Sequence, residues 1–122
     1  MILIKWILIL ILFFPISASA FAPWSRQDIA LESTYVAIHI LDWGTTLDIA
    51  DNPSKYYEYN PILGRHPSRE KVNLFFAAGI PLHLGITYAL PKRWRPYWQY
   101  FSIGMNGICV INNFSIGLKL SF

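Results

Sequence analysis

Residues 28–46 read DIALESTYVAIHILDWGTT, and this stretch decides how the chain folds. Its polar positions are spaced by three and four residues, which places six side chains within about 80° of arc on one helical face. Ionisable groups are costly in an apolar helix and by default mark a site there. The pattern therefore predicts a helix whose polar face meets polar partners. The six residues are Asp28, Glu32, Tyr35, His39, Asp42 and Thr46.

The composition favours a membrane protein. Hydrophobic residues make up 54% of the 122 residues and charged residues 14%, against about 25% charged residues in soluble domains. The mean hydropathy is +0.36, so the lipid bilayer is the predicted partner. A net charge of +3 without a binding motif argues against nucleic acid. A single cysteine, Cys109, excludes an internal disulfide.

The N-terminal residues are typical of a targeting segment. Lys5 precedes the apolar run 6–14, Pro15 interrupts it, and Ala18-Ser19-Ala20 has the pattern of a cleavage site. Residues 1–20 are therefore predicted to be a signal peptide or, if uncleaved, an anchor helix. Residues 21–122 form a single helical domain on this interpretation.

Capping signals and prolines divide that domain into helices at about 26–50, 69–90 and 97–112, with an irregular connection over 51–67. The second and third segments each carry a polar stripe of their own. The predicted fold is therefore all-α, a three-helix membrane-type bundle with a shared polar interior and an extended C-terminal tail. Residues 114–122 alternate in polarity, so a strand of an outer-membrane barrel is the alternative for the tail.

If the polar stripes of the three helices meet in the interior, they predict specific contacts between helices. His39 and Asp42 should lie near a polar residue of the other helices, and Leu47 or Ile40 should face outward. The candidate neighbours are Asn73, His83 and Asn106. The basic turn Lys92–Arg95, beside Trp94 and Trp98, is interpreted as an interfacial anchor.

One motif resembles a known family. The pattern Asp42-x-x-x-Thr46, followed by Glu58-x-Asn60-Pro61 and a second hydrophobic helix, resembles the DUF5658-type family of small bacterial membrane proteins of unknown function. The resemblance covers roughly residues 39–90. It implies a bacterial membrane location and groups Asp42, Thr46, Glu58 and Asn60 in one constellation. It implies no activity.

The same residues suggest two kinds of chemistry. No cofactor is predicted outright, but a divalent metal such as zinc is the alternative, held by His39, Asp42 and His83 together with Glu58 or His66 from the loop. Asp42 and Glu58 could also form an acid/base pair. The competing interpretation makes Asp42 an acceptor for Thr46 or Asn73, and makes Glu58 a cap for the second helix or a partner of Arg65.

The favoured function is a non-enzymatic membrane or envelope component that assembles with itself or with another membrane protein. The alternatives are an intramembrane metal-dependent hydrolase and a small subunit of an ion or proton pathway. The predicted location is the bacterial inner membrane, with the periplasm or outer membrane as alternatives; catalytic residues are not assigned. The candidate polar-site residues are Glu32, His39, Asp42, Thr46, Glu58, Asn60, Asn73, His83 and Asn106.

Overall fold

The computed structural model describes residues 20–122, so the signal or anchor prediction lies outside the described residues except at Ala20. The described chain forms three helices, α1 (Arg26–Asp51), α2 (Arg69–Ala89) and α3 (Arg95–Ser115). No strand occurs within residues 20–122. The prediction of an all-α three-helix bundle is confirmed. Helix α3 begins two residues earlier and ends three residues later than the sequence indicates.

Side-chain caps fix where the first two helices begin. The Ser25 hydroxyl accepts from the Asp28 amide, and the Asp28 carboxylate accepts from the Ser25 amide, both at 3.0 Å. This is the predicted capping box, which satisfies two otherwise unpaired donors. Ser68 caps α2 by accepting from the Lys71 amide at 3.1 Å. Pro96 lies in the first turn of α3, where no amide hydrogen is needed.

Helix α1 occupies the centre of the bundle. It packs against both α2 and α3, whereas α2 and α3 contact each other far less. The 52–68 connection is built of turns, as predicted. Its Leu63 packs into a small apolar cluster with Leu47, Val72 and Phe76. The helical pattern predicted that Leu47 or Ile40 faces outward. Ile40 does face outward, whereas Leu47 is buried because Leu63 covers it.

The polarity of the bundle is inverted in that polar side chains are prominent in its interior and large apolar ones on its surface. Six of the eight largest fully buried side chains described are polar or charged, headed by Arg95 and Gln99. Large apolar side chains are instead exposed, such as Leu74 on α2 and Ile111 on α3 at 71% and 72%. Helix α2 is the one described helix long and apolar enough by itself to cross a membrane.

The C-terminal tail after α3 is extended and packs on α1. Gly117, with a φ of 95°, turns the chain. The Lys119 amide then donates to Asp48 at 2.9 Å, and the Ser121 amide donates to the Gly44 carbonyl at 3.0 Å. Hydrogen bonds from the Ser121 hydroxyl and the Arg69 guanidinium lower the pKa of Asp51 at the end of α1. The extended tail is confirmed, and these contacts keep it from fraying.

Gly44 is the contact point for this tail, which gives a first prediction. A Cβ at Gly44 would lie 2.7 Å from side-chain atoms of Leu120 and Phe122, so Gly44→Ala should displace the tail and lower the unfolding free energy by about 1–3 kcal/mol. Thermal unfolding in detergent, with the rate of carboxypeptidase digestion, measures both effects. Gly104→Ala is the control, since nothing lies within 4 Å of that position. Equal behaviour of the two variants would contradict the tail contact.

Candidate functional site

Arg95 is completely buried where α1 begins and α2 ends. Its Nη1 donates to the Asp28 carboxylate at 3.0 Å, which makes an ion pair between α3 and α1. Its remaining N–H groups donate to four backbone carbonyls at 2.7–3.4 Å, so all five donors are used. The four carbonyls belong to Ala22, Pro23, Tyr88 and Leu90.

This geometry corrects the interpretation of the basic turn as an interfacial anchor. Lys92 and Arg93 are exposed, as an anchor requires, but Arg95 is an interior residue. A lone buried carboxylate would be very costly. In the sequence, the position of Asp28 on the polar face of α1 was the feature that could have predicted a buried cation beside it.

Glu32 joins all three helices one turn further into the bundle. Its Oε1 lies 2.6 Å from Nδ1 of His83 on α2, and its Oε2 accepts from Nε2 of Gln99 on α3 at 3.0 Å. The Thr87 hydroxyl lies 3.3 Å from the same carboxylate, but its single hydrogen has a shorter acceptor in the His83 carbonyl at 2.8 Å. Charge-assisted bonds of this kind are stronger than neutral ones. The buried carboxylate therefore bonds to side chains of both α2 and α3.

The His83 ring is fixed on both faces as well as at Nδ1. It stacks on Tyr35 with ring centroids 3.5 Å apart and on Trp98 at 4.9 Å. Trp98 also donates from Nε1 to the Thr87 hydroxyl at 3.0 Å, which links α3 to α2 at this level. His83 Nε2 is buried and has no hydrogen-bond partner among the described residues.

His39 is engaged at both ring nitrogens. Nε2 lies 2.9 Å from the carbonyl of Phe76, which can only accept, so Nε2 carries the proton. Nδ1 then accepts from the Tyr35 hydroxyl at 3.3 Å. The ring packs against Gly79, where an added Cβ would lie 3.1 Å away. His39 thus holds α1 against α2 as a hydrogen-bonded interior residue.

Asp42 lies half-buried one turn beyond His39. Its Oδ1 accepts from the Thr46 hydroxyl and from Asn113 Nδ2, both at 3.3 Å. The predicted bond to Thr46 is present. The alternative partner Asn73 is not used, because it accepts from Trp43 Nε1 at 2.8 Å on the outer face.

Glu58 reaches toward the same region from the connecting loop. Its Oε1 accepts from the amides of Tyr59 and Asn60 at 2.9 and 3.0 Å, so it stabilises its own turn and does not cap α2. The predicted partner Arg65 lies over the Tyr57 ring instead. At the rim of this loop, a hydrogen bond with Tyr57 raises the pKa of the Tyr59 phenol.

A groove of about 840 Å³ separates α2 from α3. Its floor is the polar face of α1, including Tyr35, His39 and Asp42, and the 58–63 part of the loop closes one end. The groove exists because α2 and α3 each pack on α1 while touching each other little.

Seven of the nine candidate residues line this groove: His39, Asp42, Thr46, Glu58, Asn60, His83 and Asn106. Glu32 lies beneath His83, and Asn73 points elsewhere, toward Trp43. Asn106 donates to the Ser102 carbonyl at 2.9 Å and not to His39 or Asp42. His39 and His83 both pack against the Tyr35 ring, at centroid distances of 5.3 and 3.5 Å.

Within residues 20–122, no three His, Cys, Asp or Glu side chains converge as a metal site would require. His39 uses both nitrogens and His83 uses Nδ1 for other bonds, so the predicted set with Asp42 and Glu58 does not gather around one point. The zinc hypothesis gains no support from this geometry.

The most important residues that the candidate set missed are Arg95, Gln99 and Asn113. Gln99 and Asn113 lay on the predicted stripe of α3, and both are buried against α1. Their three-four spacing was the signal, although it did not reveal which carboxylates they contact.

Comparison of the chain with family models, curated proteins and solved structures finds no match in any of the three.

Proposed function

We propose that this chain is a membrane-embedded, non-enzymatic component of the bacterial inner membrane that acts by binding. Its partners are the bilayer and a second copy or another membrane protein. The inverted polarity carries the proposal: exposed Leu, Ile and Phe side chains suit lipid, while ion pairs and amides fill the interior. The resemblance to small bacterial membrane proteins supports the same location.

By composition, α2 is the one described helix that is apolar enough to cross a membrane. The hydrogen bonds and ion pairs of the interior account for how α1 and α3 could also be placed in lipid. Each buried charge has an opposite or hydrogen-bonding partner on another helix, as in Arg95 with Asp28 and Glu32 with His83. Pairing removes most of the cost of placing these groups in hydrocarbon. The helices are therefore expected to insert as an assembled bundle.

Alkaline carbonate extraction of cell membranes tests this location. The chain should stay in the membrane pellet at high pH and dissolve only with detergent. An integral inner-membrane protein serves as one control and a periplasmic protein as the other. Release of the chain by osmotic shock, in the fraction of the periplasmic control, would overturn the proposal.

A hydrolase remains the second candidate because one observation favours it. Glu32 orients His83 through Nδ1, and His83 lines the groove, which is the arrangement of a general base and its orienting carboxylate. Among residues 20–122, no hydroxyl or thiol lies within hydrogen-bond reach of Nε2. Nε2 is itself buried, so the pair could act on water or on a substrate only after a covering side chain moves.

Asp42 and Glu58 distinguish a structural site from a catalytic one. Asp42→Ala removes two long bonds, yet Asn113 keeps its bond to Thr45 at 2.9 Å. We expect a loss of about 1 kcal/mol in unfolding free energy, and a smaller loss for Glu58→Ala, whose two amides can bond to water. Membrane-inserted yield and unfolding in detergent measure both. Wild-type yield and stability for both variants would favour the catalytic alternative.

A further inference from the structure

We propose that the groove between α2 and α3 binds a phospholipid whose primary ammonium group donates hydrogen bonds to Asp42 and Glu58. The phosphate of this headgroup would lie beside Lys71, and the acyl chain would run along the groove toward Trp98. This inference rests on the proposed membrane function and names the class of lipid that the chain binds.

Asp42 differs from the other two acids on the polar face of α1. Asp28 is paired with Arg95, and Glu32 is paired with His83. No Lys, Arg or His side chain within residues 20–122 forms an ion pair with Asp42. Since a carboxylate in an apolar segment needs such a partner, a bound cation would complete the pattern of the interior.

The groove presents hydrogen-bond acceptors around Asp42. Oδ2 of Asp42, Oε2 of Glu58 and Oδ1 of Asn113 accept no hydrogen bond within residues 20–122, because the bonds of these side chains use Oδ1, Oε1 and Nδ2. All three residues line the groove, although Asn113 is only 9% exposed. The three oxygens are accessible, since the described side-chain atoms that are both fully buried and unpartnered are His83 Nε2 and Gln99 Oε1.

A primary ammonium group matches these acceptors, because it carries three N–H donors and one positive charge. The Asn113 amide lies 3.3 Å from the Asp42 carboxylate, so two of the acceptors belong to adjacent side chains. Glu58 is close enough for its charge to repel that of Asp42, and a cation between the carboxylates would remove this repulsion. A metal ion fits less well, because no three His, Cys, Asp or Glu side chains of the described chain gather around one point.

Lys71 indicates what else the headgroup carries. It lies in the first turn of α2, next to the loop that closes this end of the groove, and it lines the groove. Its side chain forms no ion pair with any described residue. A cation beside two carboxylates favours a zwitterion over a simple amine, since the phosphate can bond to the lysine while the ammonium bonds to the acids.

The rest of the groove suits an acyl chain. From Phe75 to Ile86, α2 provides a mostly apolar wall about 16 Å long at a rise of 1.5 Å per residue. The groove volume of about 840 Å³ is that of a small-molecule site and far exceeds the volume of an ion. Apolar side chains on its two walls include Phe75, Ala78, Leu82, Ile86, Trp98 and Met105.

Cys109 reports occupancy of the groove on the unmodified chain. It is the single cysteine of the sequence, it is exposed, and it lines the groove one helical turn before Asn113. Its rate of reaction with a maleimide is measured in a maltoside detergent, with added lysophosphatidylethanolamine or lysophosphatidylcholine of the same acyl chain. The two lipids have the same phosphate and the same net charge, but the ammonium of the choline lipid has no N–H donor.

The ethanolamine lipid should protect Cys109 at about tenfold lower concentration than the choline lipid, the ratio that corresponds to about 1.4 kcal/mol for a charge-assisted hydrogen bond. Lysophosphatidylglycerol, which has the phosphate without an ammonium, should also protect less well than the ethanolamine lipid. Equal protection by the ethanolamine and choline lipids, no protection by any of the three, or stronger protection by the glycerol lipid would each overturn the proposal.

Asp42→Asn and Glu58→Gln identify the acceptors. Each amide keeps an oxygen for the bonds that the carboxylate accepts, so the fold should be retained. The tenfold preference for the ethanolamine lipid should shrink in both variants and persist in Glu70→Gln, which changes an exposed acid outside the groove. A full preference in either groove variant would overturn the assignment to that carboxylate. If one variant fails to fold, the other and the wild-type comparison decide.

Lys71→Gln tests the position of the phosphate. It should weaken protection by the ethanolamine and choline lipids alike, because both carry the phosphate, and leave their ratio unchanged. Undiminished protection by both lipids would overturn the placement beside Lys71. Failure of the membrane proposal would appear separately, in the carbonate extraction, since these binding measurements use purified protein in detergent.

Discussion

Arg95→Ala is expected to lower the unfolding free energy by about 3–5 kcal/mol, the loss typical of removing one partner from a buried ion pair. The Asp28 carboxylate would stay buried without its cation, and four backbone carbonyls would each lose a donor, although the Tyr88 carbonyl keeps the Phe21 amide. Since whole domains are stable by only about 5–15 kcal/mol, the yield of folded protein should fall sharply. Unfolding by denaturant in detergent measures the effect.

Arg93→Ala is the matched control, two residues away. Arg93 is exposed and lies over the Trp94 ring at 5.1 Å, so its loss should change stability by no more than about 0.5 kcal/mol. Arg95→Lys should fall between the two, because an ammonium keeps the charge but has three donors in place of five. If the Arg95→Ala protein is as stable as the Arg93→Ala protein, the ion pair between Arg95 and Asp28 does not stabilise the bundle.

Glu32→Ala should be nearly as damaging as Arg95→Ala, for a different reason. It removes the acceptor of two buried donors, on His83 and Gln99, whereas the Thr87 hydroxyl keeps its bond to the His83 carbonyl at 2.8 Å. Each unpaired group costs about 1–3 kcal/mol, so the unfolding free energy should fall by several kcal/mol. The same denaturant measurement applies, and fluorescence of Trp98, which stacks on His83, should report the loss of local packing.

Glu70 is the control for this second experiment. It lies exposed in the first turn of α2, so Glu70→Ala removes the same side chain without emptying an interior site. Glu32→Gln tests the role of charge, because it keeps the size but replaces one acceptor oxygen with a donor. If Glu32→Ala and Glu70→Ala unfold alike, the three-helix hydrogen-bond network contributes little.

The helices and their polar faces could be predicted from the sequence because local chemistry decides them. The Ser25 capping box, the Ser68 cap and the prolines set the ends of α1 and α2 within a residue or two. The three-four spacing identified the buried face of α1, since polar groups in an apolar segment tend to turn inward. It was less successful on α2 and α3, where Asn73 and Cys109 lie on the predicted stripes but are exposed.

The pairing of residues across helices could not be predicted, because it depends on how the helices cross. Asp42 bonds to Asn113 on α3 and not to Asn73 on α2, although both fit the spacing. Arg95 belongs to the same basic turn as the exposed Lys92 and Arg93, and nothing in the local sequence marks it as buried. Its burial follows from its position next to Asp28 of α1. Leu47 is buried because of Leu63, a loop residue whose position no periodicity predicts.

Helices α2 and α3 are joined directly to each other at one end only. The bond from Trp98 to Thr87 and the short 90–94 turn hold the helices together there, whereas the loop end depends on each helix packing on α1. Relative motion of the two helices should therefore be largest at the loop end, with α2 turning about the 90–94 connection. Arg95 and Glu32 bond near that connection, so such a motion would leave both sets of hydrogen bonds intact.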